Sequence, residues 1–228
     1  MATAPDHFIQ MEALNVLPSL PRNRYDYVRA LAIAQSSHPE LTLTAENIGM
    51  QPYQAVEVWE RLKVAMRDYR EAVARKEALD PVQAEVIFMA GWLGHYVGDA
   101  AMPLHTSDKP NGWVGPNPDG YTTEHHIHSL FESEFVARNV ISADVAPQIA
   151  KEAALAGDVF DQYVAYLNRS HKLVEKTYQL EKAGGFTGEG TAEGKAFAVG
   201  QLVVASTELR DLIYTAWIRS GEAVPARQ

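Results

Sequence analysis

Five side chains of the types that bind metal ions fall within 38 residues of this chain, and their spacing restricts how the chain can fold. His95 and Asp99 are four residues apart, as are His128 and Glu132, and His105 lies between the two pairs. On an α-helix, residues four apart lie on the same face, so each pair can point into one site. The pattern therefore predicts helices and a turn that bring imidazole and carboxylate groups together.

The segment before His105 has a helical pattern that a proline must end. Asp80 is predicted as the N-cap of this helix. One stripe of the helix is apolar throughout, and consists of Val86, Met89, Leu93 and Val97. The adjacent stripe consists of Phe88, Trp92, His95 and Asp99, which predicts a buried pocket around the two polar side chains. Pro103 ends the helix, so His105 is expected on a turn.

The chemistry of these side chains favours zinc. The chain has no cysteine, which excludes disulfides and thiolate metal sites. Histidine combined with carboxylate is typical of catalytic zinc rather than of a closed structural site.

The motif resembles that of the zinc-dependent phospholipase C and single-strand-specific nuclease superfamily. That motif is H-x-x-x-D, a histidine within P-L-H, and later H-x-x-x-D or H-x-x-x-E; residues 93–105 and 128–132 match it in residue type and order. His7, in the sequence Asp6-His-Phe-Ile-Gln10, resembles the upstream H-F-I-D ligand segment of the family. The resemblance implies an all-α, single-domain, multi-helix bundle over residues 1–228, of a bacterial, secreted or periplasmic phosphodiesterase.

The resemblance also implies the ligand sets. One zinc would be held by His7, His95 and Asp99, and a second by His105, His128 and Glu132. Asp99 would in addition bridge towards a third zinc, and is therefore the residue assigned to the reaction itself.

The start of the chain departs from the family pattern. Family members carry an N-terminal Trp and His for the third zinc and an Asp ahead of the H-F-I-D segment, and this chain begins six residues before His7. Gln10 stands in place of the usual Asp. Two explanations are open: a longer protein has been shortened, or one metal and part of a site have been lost. Two zinc ions are expected instead of three, with the His7 site the weaker and Asp6 or water as its further ligand.

Three functions remain possible on the sequence. The 23-residue gap from His105 to His128 resembles the nucleases, which predicts single-stranded nucleic acid or 3′-nucleotides as substrate. Glu132 as the carboxylate resembles the branch that hydrolyses phospholipid head groups. The third possibility is a protein that binds metal but is inactive.

Composition limits the partners. The net charge is −9, which argues against a broad basic surface for nucleic acid, although bound metals can supply positive charge locally. No segment is apolar and long enough to span a membrane, the first residues do not resemble a signal peptide, and no stable protein partner is implied.

Beyond the motif, the pattern is helical almost throughout. Helices are predicted at 22–37, 52–75 and 192–220, with one long helix or a helical pair at 142–182. Residues 106–123 are rich in Pro and Gly and are predicted to form a loop that closes over the metal pocket. Trp113 in this loop is interpreted as an anchor for it, the alternative being a stacking platform for a substrate. The remaining histidines are assigned no ligand role: His125 and His126 to the loop or outer shell, His38 and His171 to solvent. Glu124 and Glu134 are interpreted as surface charges.

Overall fold

The computed structural model describes residues 3–223, and in that range the regular structure is helical apart from one antiparallel bridge between Ile9 and Gly49. The α-helices are α1 (Arg24–Ser37), α2 (Ala45–Ile48), α3 (Gln51–Arg75), α4 (Asp80–Ala101), α5 (Ile127–Ser129), α6 (Val136–Asn139), α7 (Ser142–Val145), α8 (Val159–His171), α9 (Val174–Lys182) and α10 (Ala192–Ser220). Short 3-10 helices cover Ala4–His7, Ala13–Val16, Pro103–Thr106 and Ala146–Gln148, and a π-helix, Leu130–Phe135, joins α5 to α6. The prediction of an all-α, multi-helix single domain is therefore confirmed.

Helices α3, α4, α8 and α10 pack around the main core. The apolar positions of α3 recur every three or four residues, so one face of the helix is buried and the other is charged. Trp59 is almost fully buried on that face, and its indole N–H donates to the carbonyl of Leu212 on α10 at 2.9 Å. The hydrogen bond satisfies the polar atom of a large buried ring and fixes α10 against α3.

Helix α8 fixes the part of α4 that carries His95 and Asp99. The hydroxyl of Tyr163 donates to the carbonyl of Tyr96 at 3.0 Å, and that of Tyr166 donates to the carbonyl of Val97 at 2.8 Å. Both tyrosines are buried, and the two carbonyls lie between the two polar side chains of α4. The turn that presents these side chains is thus held by buried hydrogen bonds, which are costly to break.

Helix α4 ends where the proline predicts. Its last residue is Ala101; Met102 is extended, and Pro103 opens the 3-10 turn that carries His105. The amide of Gln201 on α10 donates to the free carbonyl of Ala101 at 2.6 Å, which satisfies one of the unpaired groups at the helix end.

Three details of the sequence prediction are wrong. Leu79, not Asp80, is the N-cap of α4; Asp80 is the first helical residue, where its charge still suits the helix dipole. The stripe that contains His95 and Asp99 is expected to line a buried pocket, but Phe88 in this stripe is 64% exposed. The apolar stripe beside it is buried at Leu93 and Val97. No helix spans residues 149–158, because Pro147 and Gly157 interrupt the pattern, and Gly157 has a positive φ of 74°.

The irregular segment 149–158 is tied to α10. The backbone N–H of Ala153 donates to the carboxylate of Asp211, and that of Leu155 donates to the hydroxyl of Thr215, each at 2.8 Å. The helical pair predicted further along is present as α8 and α9. Among the helices of residues 3–223, none has the length and hydropathy needed to cross a bilayer.

Candidate metal centre

His7, His95 and Asp99 meet in a cluster that we call the first triad. Nδ1 of His7 lies 3.0 Å from Oδ2 of Asp99 and 2.9 Å from Nε2 of His95. Nε2 of His95 lies 3.5 Å from the same carboxylate oxygen. Asp99 is buried, whereas His95 is the most exposed of the three, so the triad opens to solvent on the His95 side.

The backbone of residues 5–11 brings His7 to helix α4. Ile9 is fully buried, and its N–H donates to the carbonyl of His105 at 2.9 Å. On the opposite side, the N–H of Gln10 donates to the carbonyl of Ile48 at 2.7 Å. The extended piece predicted around residues 7–10 is thus held between the segment before α3 and the turn after α4.

His105, His128 and Glu132 form the second triad. The Nε2 atoms of His105 and His128 lie 3.1 Å apart. Oε2 of Glu132 is 2.8 Å from Nε2 of His128 and 3.7 Å from Nε2 of His105. The best-covered side chain of this triad is that of His105, which is 14% exposed, as Asp99 is in the first triad at 10%.

Backbone carbonyls orient both imidazoles of the second triad. Nδ1 of His105 donates to the carbonyl of His7 at 2.7 Å, and Nδ1 of His128 donates to the carbonyl of Pro110 at 2.9 Å. A neutral imidazole carries one proton, so with Nδ1 protonated each Nε2 presents a lone pair. Two lone pairs and a carboxylate oxygen then face one another, and this arrangement needs a positive charge at its centre, either a proton on one Nε2 or a metal ion.

The electrostatics of the second triad are consistent with that requirement. Burial lowers the pKa of His105, but hydrogen bonds to Glu132 and to the carbonyl of His7, together with the charges of Asp99 and Glu132, outweigh burial and raise it. Without a metal, a proton on Nε2 of His105 or His128 is hydrogen-bonded to Glu132, and these bonds hold the pKa of Glu132 well below its usual range. The cluster thus stabilises positive charge next to an ionised carboxylate.

The helix that carries His128 and Glu132 is not a plain α-helix. It runs as α5, the π-helix Leu130–Phe135 and α6, so Glu132 lies on the π-helical turn. Phe131 and Phe135 of that turn are buried and pack on Phe186, with ring centroids 4.4 and 5.5 Å apart. Such turns are often found at functional sites. The spacing of the pair predicts its shared face but not the wider turn.

The loop before His128 supports the second triad from behind. Asn111 accepts the backbone N–H of His128 at 3.2 Å, in addition to the bond from its ring to Pro110. Trp113 packs against Tyr121 and Tyr178, with centroids 4.7 and 5.2 Å away, which supports its interpretation as an anchor. The loop thus contacts the second triad through Pro110 and Asn111, but none of its residues lines the cavity between α4 and α10.

A cavity of about 350 Å³ lies between α4 and α10 and connects the two triads. His95, Asp99 and Glu132 contribute the charged or ionisable part of its lining. Much of the remaining wall is small or aliphatic and includes Gly94, Gly98, Ala198, Leu202 and Ala205. A ligand whose polar group reaches both triads would therefore place an apolar part along α10.

The separations suit zinc at both triads. Tetrahedral zinc with ligands at about 2.0–2.1 Å holds neighbouring ligand atoms about 3.3 Å apart, and the six observed separations run from 2.8 to 3.7 Å. The triads differ in their outer contacts. In residues 3–223, Nε2 of His7 and Nδ1 of His95 have no hydrogen-bond partner, whereas both outer nitrogens of the second triad do.

The other candidate side chains lie outside the triads. His126 contacts Ser129 at 3.3 Å and lies 3.8 Å from Glu134, and His125 is exposed. Glu124 and Glu134 are exposed, as predicted. His38 pairs with Glu40 at 3.3 Å, while His171 has a buried Nδ1 without a partner, so the prediction that His171 is solvated is wrong.

Of residues 3–10, only His7 belongs to a triad. Burial raises the pKa of Asp6, whose charged neighbours are Arg24, His7 and Glu57, and Asp6 is not among the triad residues. Gln10 lines a separate cleft with Glu12 and Asp108 rather than the cavity between the triads.

Comparison of the chain with protein-family models, with curated proteins and with solved structures gives no match. The resemblance of the ligand motif to that of the zinc-dependent phospholipase C and nuclease superfamily therefore stays a prediction from the sequence.

Proposed function

We propose that this protein is a zinc-dependent phosphodiesterase. The observation that carries the proposal is the second triad, where two oriented imidazole lone pairs and an ionised carboxylate converge on one point. Zinc, when bound, would lower the pKa of a water molecule and neutralise charge on phosphoryl oxygens. His95 and Asp99 of the first triad and Glu132 of the second line the same cavity, so a ligand bound in it would lie beside both triads.

Asp99 has the central role in the first triad. Its Oδ2 is shared by His7 and His95, and the side chain is 10% exposed, so the carboxylate is held by both rings rather than by solvent. Without a metal, these contacts place a proton on the ring nitrogens that face Asp99; a bound cation would take the place of that proton and be held by the carboxylate and both imidazoles. Asp99 is therefore the residue we assign to the reaction.

Single-stranded nucleic acid is the first candidate substrate. The gap of 23 residues between His105 and His128 favours it, and so do two aromatic rings on α4. Phe88 is 64% exposed and packs near Trp92, with centroids 6.0 Å apart, within two turns of His95. Exposed rings beside a cationic centre provide stacking surfaces for bases, which tolerate any sequence.

Phospholipid is the second candidate, and the cavity favours it. Its lining is largely aliphatic, and Phe131, an aromatic ring in the wall, is already stacked on Phe186. Such a wall suits an alkyl chain better than a base. Glu132 as the carboxylate of the second triad agrees with this alternative.

Metal analysis followed by assays on bis(p-nitrophenyl) phosphate, single-stranded DNA and phosphatidylcholine would test the proposal. We expect zinc in the purified protein and hydrolysis of the first substrate, both removed by chelation. Phe88→Ala should lower DNA cleavage only, with the neighbouring exposed Ile87→Ala as control. Gly98→Leu should impair lipid hydrolysis because it fills the cavity, whereas Gly91→Leu adds a side chain to open space outside it.

The assays also separate the third possibility. Zinc binding without hydrolysis of any of the three substrates would leave a metal-binding protein without the proposed activity. Absence of zinc binding would contradict the proposal altogether.

A further inference from the structure

His105 contacts both triads through different atoms of one ring. Its Nε2 belongs to the second triad, and its Nδ1 donates to the backbone carbonyl of His7, whose side chain belongs to the first. We propose that His105 is a positioning residue for the first triad: its Nδ1–H holds the His7 backbone and so sets where the His7 ring lies. The inference rests on the proposed metal binding.

The His7 ring depends on its backbone for its position. His7 is the last residue of a four-residue 3-10 helix, and its side chain is 33% exposed. In residues 3–223 its Nε2 has no hydrogen-bond partner, so the only polar contacts of the ring are those to His95 and Asp99 in the triad itself. Unlike His128, it has no outer contact that could restore its orientation if the backbone shifts.

The His105 ring contributes one of three bonds that tie residues 7–11 to residues 105–106. The other two are backbone hydrogen bonds. The N–H of Ile9 donates to the carbonyl of His105 at 2.9 Å, and the N–H of Met11 donates to the carbonyl of Thr106 at 3.0 Å. The ring bond, at 2.7 Å, is the shortest, and it alone reaches the peptide of His7 itself.

The same bond links the two triads thermodynamically. An imidazole whose Nε2 lone pair is directed to a cation must carry its proton on Nδ1, and this is the tautomer that the His7 carbonyl requires. Occupancy of the second triad therefore selects the form of His105 that holds His7. By reciprocity, an ordered His7 favours occupancy of the second triad.

The test uses His128→Ala as the background, because that change removes the second triad as a metal site and leaves His105 and the first triad intact. Cobalt(II) is the probe, since its visible absorption reports ligand number, and its affinity is measured by titration against a competing chelator. Into this background are placed His105→Ala, His105→Asn and His105→Gln. The Asn amide nitrogen is bonded to Cγ, as Nδ1 is, whereas the Gln amide lies one bond further out.

We expect His128→Ala/His105→Ala to bind cobalt roughly 10–100-fold more weakly than His128→Ala, the usual effect of losing an outer contact of a metal ligand. The Asn variant should return to within about threefold of the background, and the Gln variant should stay weak. Thermal melts of the metal-free proteins establish whether each variant is folded. If the Ala variant is not folded, the Asn variant still tests the proposal, because its amide can make the contact to the His7 carbonyl.

Equal cobalt affinity in all four proteins would overturn the positioning role while leaving zinc binding intact. Equal weakness of the Ala, Asn and Gln variants would also overturn it, since the ring would then act by packing alone. A wild-type protein that binds no metal would overturn the proposed function, and this inference with it.

Discussion

At the scale of single residues, the spacing of histidines and carboxylates predicts which side chains meet. All six residues assigned from the motif and its resemblance lie in two triads, grouped as the resemblance implies. Zinc binding by these triads stays a prediction. The outer contacts could not be predicted, because the groups that orient His105 and His128 are backbone carbonyls, of His7 and Pro110. A carbonyl is present at every residue, so its position follows from the fold and leaves no pattern in the sequence.

The choice of His128 over its neighbours can be tested directly. We expect His128→Ala to abolish zinc binding at the second triad, because the change removes one of its three ligands. His126→Ala and His125→Ala should retain it, with an effect below roughly tenfold, since His126 contacts Ser129 and Glu134 and neither ring belongs to a triad. Zinc content of the three variants after dialysis is the measurement. Equal loss in all three would mean that His128 is not the ligand.

At the scale of elements, α4 and its end are well predicted and the π-helix is not. Pro103 ends α4 for reasons that are local to the chain, so the sequence is sufficient to place His105 on a turn. The π-helix depends on how Phe131 and Phe135 pack against Phe186, which is more than fifty residues away. Distant packing of this kind leaves the four-residue spacing unchanged, and so it cannot be inferred from spacing.

Gly49 is required by the segment that carries His7. Its φ of +95° disfavours any side chain, and a Cβ atom would collide with the carbonyl oxygen of Phe8 across the bridge. We expect Gly49→Ala to destabilise the protein by at least about 2 kcal/mol and to weaken metal binding at the first triad before the second. Thermal unfolding and metal titration are the measurements.

Gly91→Ala is the matched control for Gly49→Ala. Gly91 is a helical glycine of α4 with no atom within 4 Å of an added Cβ, so the change should stabilise the helix by about 0.5–1 kcal/mol. A similar loss of stability in both variants would show that the bridge beside His7 has no special role.

Glu208 should make the contact between α8 and α10 sensitive to pH. Burial, the largest effect, raises the pKa of Glu208 above its ordinary value despite the guanidinium of Arg169 at 3.0 Å. A carboxyl whose folded pKa is raised binds its proton more tightly in the folded state, so ionisation destabilises the protein as pH rises above the ordinary value. Glu208→Gln should therefore raise the melting temperature at pH 8 and have little effect near pH 4.

Arg169→Gln provides the opposite change at this contact. The guanidinium is more than half exposed, so it can be solvated when Glu208 is neutral, but Glu208 without it is a buried charge with no partner. Arg169→Gln should therefore lower the melting temperature at pH 8. A loss of stability in Glu208→Gln that is equal at pH 4 and pH 8 would indicate lost packing rather than lost charge.

At the scale of the whole molecule, the helical pattern, in agreement with the resemblance, was sufficient to predict the fold class, while the path of residues 149–158 was not predictable. That segment is held by side chains of α10, among them Asp211 and Thr215, and its own pattern does not reveal them. The cavity is likewise formed only when α4 and α10 lie side by side, and so it belongs to the fold rather than to any one segment.

The whole chain should bind two zinc ions of unequal stability. Residues 3–223 contain two triads, and only the second has both imidazoles held by outer hydrogen bonds, which typically raise metal affinity 10–100-fold. We therefore expect graded chelation to remove one zinc first, with the second triad retaining its ion longest. Elemental analysis across a chelator series, on the wild type and on His95→Ala and His128→Ala, would assign each step.

The result that contradicts this order is equally clear. Retention of the last zinc in His128→Ala but not in His95→Ala would place the tighter site at the first triad. Three tightly held zinc ions in the 228-residue chain would show that the two triads do not account for its metal binding.

His7 is far from its partners along the sequence, and this separation has a consequence for how the two triads assemble during folding. The second triad closes a loop of 23 residues between its histidines, whereas the first must bring together histidines 88 residues apart. Closing the longer loop costs about 1 kcal/mol more in chain entropy. Helices α3 and α4 form a local hairpin, so we expect a refolding chain to bring His105 and His128 together while residues 5–11 are still free. The insertion of that segment between the start of α3 and the end of α4 would then come last; it creates the first triad and adds the carbonyl of His7 that orients His105.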